Sequence, residues 1–248
     1  MGSTRLPGKM TLPIIDGKGA LELMIERITQ SDTLKRVIVA TTVLPEDDAL
    51  IDVCKRIGVE SFRGHATDVL DRYYQCATAL APGDVLVRLT GDCPLHDPAT
   101  IDRVVNFFSA GSYDYAANTH PPTFPDGVDT EVFTYAALQA AWRKATLPSE
   151  REHVTYYIYT HPSEFRIGNL ANDTDLSPHR WTLDEPADLR FIRRIYEELR
   201  PCGRLFGMSE VTELLERHPD ILALNSDIER NAGLRKSLEL DRLARNEK

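Results

Sequence analysis

Between residues 19 and 110 short β-branched runs alternate with stretches of helical period, and this alternation restricts the fold more than any other feature of the chain. Leu21, Met24, Ile25 and Ile28 recur at i, i+3, i+4 and i+7, the spacing of an amphipathic helix over about 19–30. Arg36–Thr42 (RVIVATT) reads as a buried strand. Pro45 opens a helix at its first turn, with Leu50, Ile51, Cys54 and Ile57 on one face. Val59–Phe62 is the next strand, and Thr67 is expected to cap a helix carrying Val69, Leu70, Tyr73 and Leu80. Asp84–Thr90 (DVLVRLT) is a third strand. Asp97-Pro98 then starts a helix that turns Ile101, Val104, Val105 and Phe108 inward. Strand–helix–strand succession of this kind packs as parallel strands joined by right-handed crossovers, with helices on the sheet faces.

After residue 111 the rhythm changes. Asp114–Asn118 and Val128–Thr134 read as strands, 134–145 and 149–160 as helices, and Phe165–Leu170 and Arg180–Leu183 as strands. A helix follows from Pro186, aligning Leu189, Ile192, Tyr196 and Leu199. Residues 209–248 read as helical and highly charged. No internal repeat or low-complexity linker interrupts the chain. The expected organisation is one α/β domain over 1–205 and a helical C-terminal appendage over 206–248. That appendage suits either of two roles, homodimerisation or a solvated cap.

The formal net charge of −9 argues against a nucleic-acid partner, which would need a basic face. It leaves room for one nucleotide held by a few local cations. No run of eighteen apolar residues predicts a transmembrane helix, and MGSTRLPGK has no apolar signal region. Cys54, Cys76, Cys93 and Cys202 are scattered without a C-x-x-C pair, so neither a zinc site nor a disulfide framework is expected. The cytoplasm is the expected compartment.

Two kinds of segment carry chemistry. MGSTRLPGK places Gly2, Ser3, Thr4, Arg5, Gly8 and Lys9 within nine residues. Glycines admit a phosphate to the backbone, small hydroxyls donate, and Arg and Lys supply charge. The segment is not a Walker A loop, because five residues separate Gly2 from Gly8 and Met10 follows Lys9. By composition it reads equally well as a basic tail. Arg63-Gly64, directly after a strand, is a further candidate phosphate or sugar contact. The second kind is carboxylate. Asp92, in Gly91-Asp92-Cys93-Pro94, follows the DVLVRLT strand, at the edge where α/β proteins place ligands. It suits Mg²⁺, which takes one or two carboxylates plus substrate phosphates, although Gly, Asp and Pro also make ordinary turns. Asp184, in RWTLDEPADL, reads with equal weight as a helix cap or a metal ligand, whereas Glu185 and Asp188 suit the helix dipole. The histidines lack metal-ligand spacing, and His153 on a helix reads first as structural.

Together MGSTRLPGK, RVIVATT, FRGHATDVLDRYYQCA, VRLTGDCPLHDP, FPDGVDTEVF, EREHVTYYIYTHP and RWTLDEPADLRFIRRIYEEL resemble the SpsF-type spore coat polysaccharide cytidylyltransferases, relatives of the CMP-sialic acid and CMP-KDO synthetases. The resemblance spans nearly the whole chain. It implies a glycosyltransferase-A-like, Rossmann-related nucleotidyltransferase fold with a mixed, mainly parallel sheet. It implies that CMP passes from CTP to a sugar, with release of pyrophosphate. Gly2, Ser3, Arg5 and Lys9 would then contact the triphosphate, Arg63 would add to the nucleotide side, and Asp92 and Asp184 would hold Mg²⁺. Glu131, Arg151, Glu152 and His153 would line the sugar side. Two departures stand out. The hydrophobic strand and Ala-Arg pair that the family carries ahead of the phosphate loop are absent, so the sheet is expected to lack its first strand and to leave apolar neighbours exposed. His65 replaces a usual Ser at the pocket rim. No general base is evident. Two rival readings share much of this pattern: a glycosyltransferase consuming a nucleotide sugar, and a non-catalytic relative that holds a nucleotide.

Overall fold

The computed structural model describes residues 5–81, 83–200, 205–230 and 232–246. Among the described residues six strands form two sheets. β1 (Ile38–Thr42) and β2 (Glu60–Gly64) pair in parallel, from Ile38↔Glu60 to Thr42↔Gly64. The second sheet has the order β3-β5-β4-β6, from β3 (Val85–Arg88), β4 (Tyr115–Ala117), β5 (Glu131–Thr134) and β6 (Ile167–Asn169). β5 runs antiparallel to both its neighbours, and β4 pairs with β6 in parallel. The second sheet therefore has two antiparallel pairings and one parallel, so the expectation of a mainly parallel sheet holds only for β1-β2 and β4-β6. The helical crossovers of the first half impose parallel pairing, whereas β5 enters between β3 and β4 with its direction reversed.

The helices match the apolar periods. They are α1 (Ala20–Ile28), α2 (Asp48–Ile57, preceded by a 3-10 turn Pro45–Asp47), α3 (Val69–Cys76), α4 (Pro98–Ala110) and α5 (Tyr135–Lys144). Then follow α6 (Pro148–Glu152), α7 (Tyr156–Thr160), α8 (Pro186–Leu199), α9 (Met208–Arg217), α10 (Pro219–Leu222) and α11 (Ala232–Asn246). Asp97 caps α4 by accepting from Thr100 N at 2.9 Å, with Pro98 at the first helical position. Three expectations need correction. The cap of α3 is Asp68, which accepts from Asp71 N, not Thr67. The helix expected over 149–160 is two short ones, because Val154 takes a left-handed φ of 53° between them. Arg180–Leu183 is no strand. Only Arg180 bridges, to Asp126, before the chain turns toward α8.

No ladder joins β1 to β3 among the described residues. Val39 of β1 and Val87 of β3 nevertheless pack into one cluster with Leu21, Met24 and Ile25 of α1 and Ile101 of α4. Both valines stay half-buried, and Val85 is 47% exposed, while Tyr115, Ala116 and Ala117 of β4 are fully covered. The largest core cluster joins Trp181, Leu183 and the inner face of α8 (Phe191, Ile192, Ile195, Tyr196) to Phe206, Val211, Leu214, Leu215 and Ile221. The C-terminal helices thus share the core of the α/β layer. Each such aliphatic side chain contributes about 2 kcal/mol of transfer free energy. Among the described residues, no helix is long and apolar enough to cross a membrane.

Candidate active site

The site forms where the phosphate-type loop meets the ends of two segments far apart in sequence. The loop carrying Lys9 and Met10 lies against the start of α1, where Leu21 N donates to Met10 O at 3.2 Å. This approach requires Gly19: a Cβ there would sit 2.7 Å from Met10 O and 2.8 Å from Thr11 Cα. Asp92 follows β3, and its carbonyl accepts from Leu183 N at 2.8 Å, which fixes it beside the 180–184 segment.

Asp184 is set by its neighbour in α8. Asp188, fully buried, accepts the backbone N–H groups of Asp184 and Glu185 on Oδ2, both at 2.9 Å. The helix start is capped from inside by Asp188, so the Asp184 carboxylate is free to face the cleft. The capping role that the sequence allows for Asp184 is taken at these N–H groups by Asp188.

The two cleft aspartates converge on one cation. Lys9 Nζ lies 2.6 Å from Asp92 Oδ2 and 2.7 Å from Asp184 Oδ1. Arg5 adds contacts to Asp184 at 3.1 Å and Glu185 at 3.0 Å. Burial alone would lower the Lys9 pKa, but Asp92 and Asp184 hold it above its ordinary value. Burial works to raise Asp184, and Lys9, with Arg5 and Arg180, brings it below the usual carboxylate range. Two half-exposed carboxylates aimed at one positive charge form the donor set that a phosphate-borne Mg²⁺ takes. Among the described residues no group of three or more His, Cys, Asp or Glu offers an all-protein cage.

The row of charges continues away from Lys9. Arg180 Nη2 reaches Asp184 Oδ2 at 3.2 Å, and Arg180 Nη1 reaches Asp126 Oδ2 at 3.2 Å. Arg230, between α10 and α11, lies 3.8 Å from Asp126 Oδ1 and 2.6 Å from Asp129 Oδ1. The order Asp92–Lys9–Asp184–Arg180–Asp126–Arg230–Asp129 therefore alternates in sign from the N-terminal loop to the C-terminal region. Gly127 makes the middle of it, since at φ 113° a Cβ would meet Trp181 C at 2.6 Å. Burial raises both Asp126 and Asp129 above the usual carboxylate range, against the pull of Arg230. The sequence reading missed Arg180, Asp126, Asp129 and Arg230 as site residues. Only the D-G-x-D spacing of 126–129 could have signalled a part of this.

Other candidates take different places. Gly2 and Ser3 lie outside the described residues. Arg63 has internal partners: it donates to Thr42 O at 2.9 Å and Leu44 O at 2.8 Å and pairs with Asp48 at 2.6 Å. Glu131 is buried on β5, paired with Arg88 and accepting from Thr155 Oγ1 and, at 2.8 Å, from Tyr115 Oη. Burial works to raise its pKa, and Arg88 keeps it low. Arg151 pairs with Asp68 and donates to Trp142 O at 2.9 Å, tying α6 to the cap of α3. Ser237 of α11 donates to Glu152 and meets His153 Nε2 at 2.9 Å, and burial lowers His153. The polar groups of these four residues have internal partners, and for buried Glu131 the burial of its charge demands them.

Known proteins resemble this chain over most of its length. The spore coat polysaccharide biosynthesis protein SpsF of Bacillus subtilis is 34% identical, over 89% of this chain and 92% of that one. A 3-deoxy-manno-octulosonate cytidylyltransferase of Hydrogenovibrio crunogenus is 31% identical, over 64% of this chain and 68% of that one. A solved cytidylyltransferase from Leptospira borgpetersenii superposes with a TM-score of 0.83 at 33% identity, covering 93% of this chain and 95% of that one. Residues 1–206 match the family described as cytidylyltransferase, so a chain whose two distant aspartates meet on one loop lysine belongs to the cytidylyltransferase family.

Proposed function

We propose that this enzyme transfers CMP from CTP to a hydroxyl of a sugar acid for surface polysaccharide synthesis, with release of pyrophosphate, and that Asp92 and Asp184 hold Mg²⁺ for this step. The observation that carries the reading is the convergence of Asp92 and Asp184 on Lys9 Nζ at 2.6 and 2.7 Å. The acidic acceptor is suggested by the relative named for 3-deoxy-manno-octulosonate, and the polysaccharide role by SpsF. The free thiols of Cys54, Cys76 and Cys93 fit a reducing cytoplasm.

The acceptor oxygen attacks the α-phosphorus. The new O–P bond forms as the bond to the β-phosphate oxygen breaks, and the electron pair leaves with pyrophosphate. The proteins of such reactions contribute mainly position and charge. Lys9 and Arg5, on a loop anchored by Gly19, supply positive charge to the triphosphate and to the leaving pyrophosphate. Mg²⁺ when bound would neutralise phosphate oxygens and acidify the attacking hydroxyl. Asp188 and the Leu183–Asp92 contact fix the main chain from which the two carboxylates project. Glu131, Arg151, Glu152 and His153 serve the sugar side, in this reading, through the segments that their internal pairs hold together.

The test is pyrophosphate release from each of the four nucleoside triphosphates against a panel of sugar acids and neutral sugars. CTP with a sugar acid should stand out. Turnover of a nucleotide sugar without pyrophosphate would identify a glycosyltransferase instead, and tight CTP binding without turnover a non-catalytic relative.

A further inference from the structure

Lys9 stands where a divalent cation shared by Asp92 and Asp184 would have to act. Mg²⁺ binds oxygen at about 2.0–2.1 Å. An ion that reached Asp92 Oδ2 and Asp184 Oδ1 would share both oxygens with an ammonium 2.6 and 2.7 Å from them. Two cations a few ångström apart in a half-buried site repel strongly. The backbone positions of the two aspartates do not rely on Lys9: Leu183 N donates to the Asp92 carbonyl, Asp188 accepts the Asp184 N–H, and Arg180 Nη2 also holds the Asp184 carboxylate at Oδ2. Lys9 itself rises from a turn closed locally by Lys9 N to Leu6 O at 3.2 Å and Thr11 N to Gly8 O at 2.9 Å. Its ammonium is a compact charge on a flexible four-carbon stem, which can move without the loop.

We infer that Lys9 is a placeholder cation, which neutralises Asp92 and Asp184 before substrate arrives and has to leave their oxygens for the divalent ion to enter. This rests on the metal assignment proposed above. The triphosphate offers Lys9 its next partner, so nucleotide and metal enter together. Each strengthens the other's binding through one displaced side chain, a coupling that is reciprocal by linkage. The metal alone binds weakly because it must expel the lysine with nothing to receive it.

The experiment measures binding of Mn²⁺ alone, by electron paramagnetic resonance of the free ion, to the full chain and its variants. Lys9→Met and Lys9→Gln should bind Mn²⁺ on the order of tenfold more tightly than the unmodified enzyme, within the usual range of such couplings. Arg5→Met is the control for charge. Arg5 touches one of the two shared oxygens, Asp184 Oδ1, at 3.1 Å, and otherwise pairs with Glu185, so its loss removes a cation while Lys9 still occupies both Asp92 Oδ2 and Asp184 Oδ1. It should tighten Mn²⁺ by less than about threefold, as a partly exposed pair does. CTP should tighten Mn²⁺ binding more in the unmodified enzyme than in Lys9→Met. Unchanged or weaker Mn²⁺ binding in both Lys9 variants overturns the inference, as does equal tightening by Arg5→Met. Asp92→Asn separates the two levels. If it abolishes Mn²⁺ binding while the Lys9 variants match the unmodified enzyme, the placeholder alone fails. If Asp92→Asn binds Mn²⁺ normally, the metal assignment fails and the placeholder with it.

Discussion

Asp188 accepts the backbone N–H of Asp184 at 2.9 Å, so the residue buried inside the helix start supplies the cap and the Asp184 carboxylate takes other partners. Asp188 also pairs with Arg180 at 3.0 Å. The two aspartates should therefore separate by phenotype. Asp184→Asn should lower pyrophosphate release by about three orders of magnitude, the scale of a lost metal contact, with little loss of stability. Asp188→Ala should lower activity and also destabilise the fold by about 3–5 kcal/mol, because it leaves Arg180 short of its buried partner. Urea denaturation beside a turnover assay distinguishes them. Equal stability of both variants would contradict the assignment.

His96 makes stability sensitive to mild acid. It is 0% exposed, and its Nε2 meets Asp129 O at 3.2 Å. A carbonyl only accepts, so Nε2 carries the proton and the ring is neutral. Burial lowers its pKa to about 4. The unfolded chain binds this proton near pH 6.5 and the folded chain does not, so stability is full above that pH and is lost as pH falls toward 4. The loss should approach about 3 kcal/mol at the low end. His96→Gln should flatten the dependence of unfolding free energy on pH across this window. Identical slopes in the two proteins would rule the explanation out.

The Arg88–Glu131 pair should behave as a buried unit. Glu131→Gln alone leaves Arg88 without a countercharge in the core and should cost about 3–5 kcal/mol in chemical denaturation. Replacing both, as Arg88→Met with Glu131→Leu, should recover much of that loss. A double variant no better than Glu131→Gln would mean that Tyr115 and Thr155, which donate to Glu131, dominate instead.

Arg230 should tune Asp129 from the C-terminal side. Burial raises Asp129 and Arg230 opposes it, so Arg230→Met should move the carboxyl pKa higher still. The folded state then binds a proton more firmly than the unfolded one. Stability is present below the unfolded pKa and declines as pH rises through the higher folded value. Carbon-13 NMR of the Asp129 carboxyl follows this directly, and a downward shift in the variant would contradict the pairing.

Periodicity in the chain was enough to place α1, α2, α4, α5 and α8 and the six strands of the two sheets, because apolar spacing records which face of each element is buried. The motifs also marked Asp92 and the Arg5–Lys9 loop, since a carboxylate after a strand and a cluster of Gly, Arg and Lys carry local chemical meaning. Local signals could not separate cap from ligand at Asp184. That depended on Asp188 lying buried within reach of its N–H. Nor could they show that Arg63 turns to β1 carbonyls, or that Glu131, Arg151, Glu152 and His153 spend their charges internally. Arg230 joins a row of charges with Asp126, about a hundred residues before it, only because the C-terminal helices fold onto the same core as Trp181. Burial of a face is written in the spacing of neighbours along the chain, whereas the pairing of distant charges exists only after the chain has crossed itself.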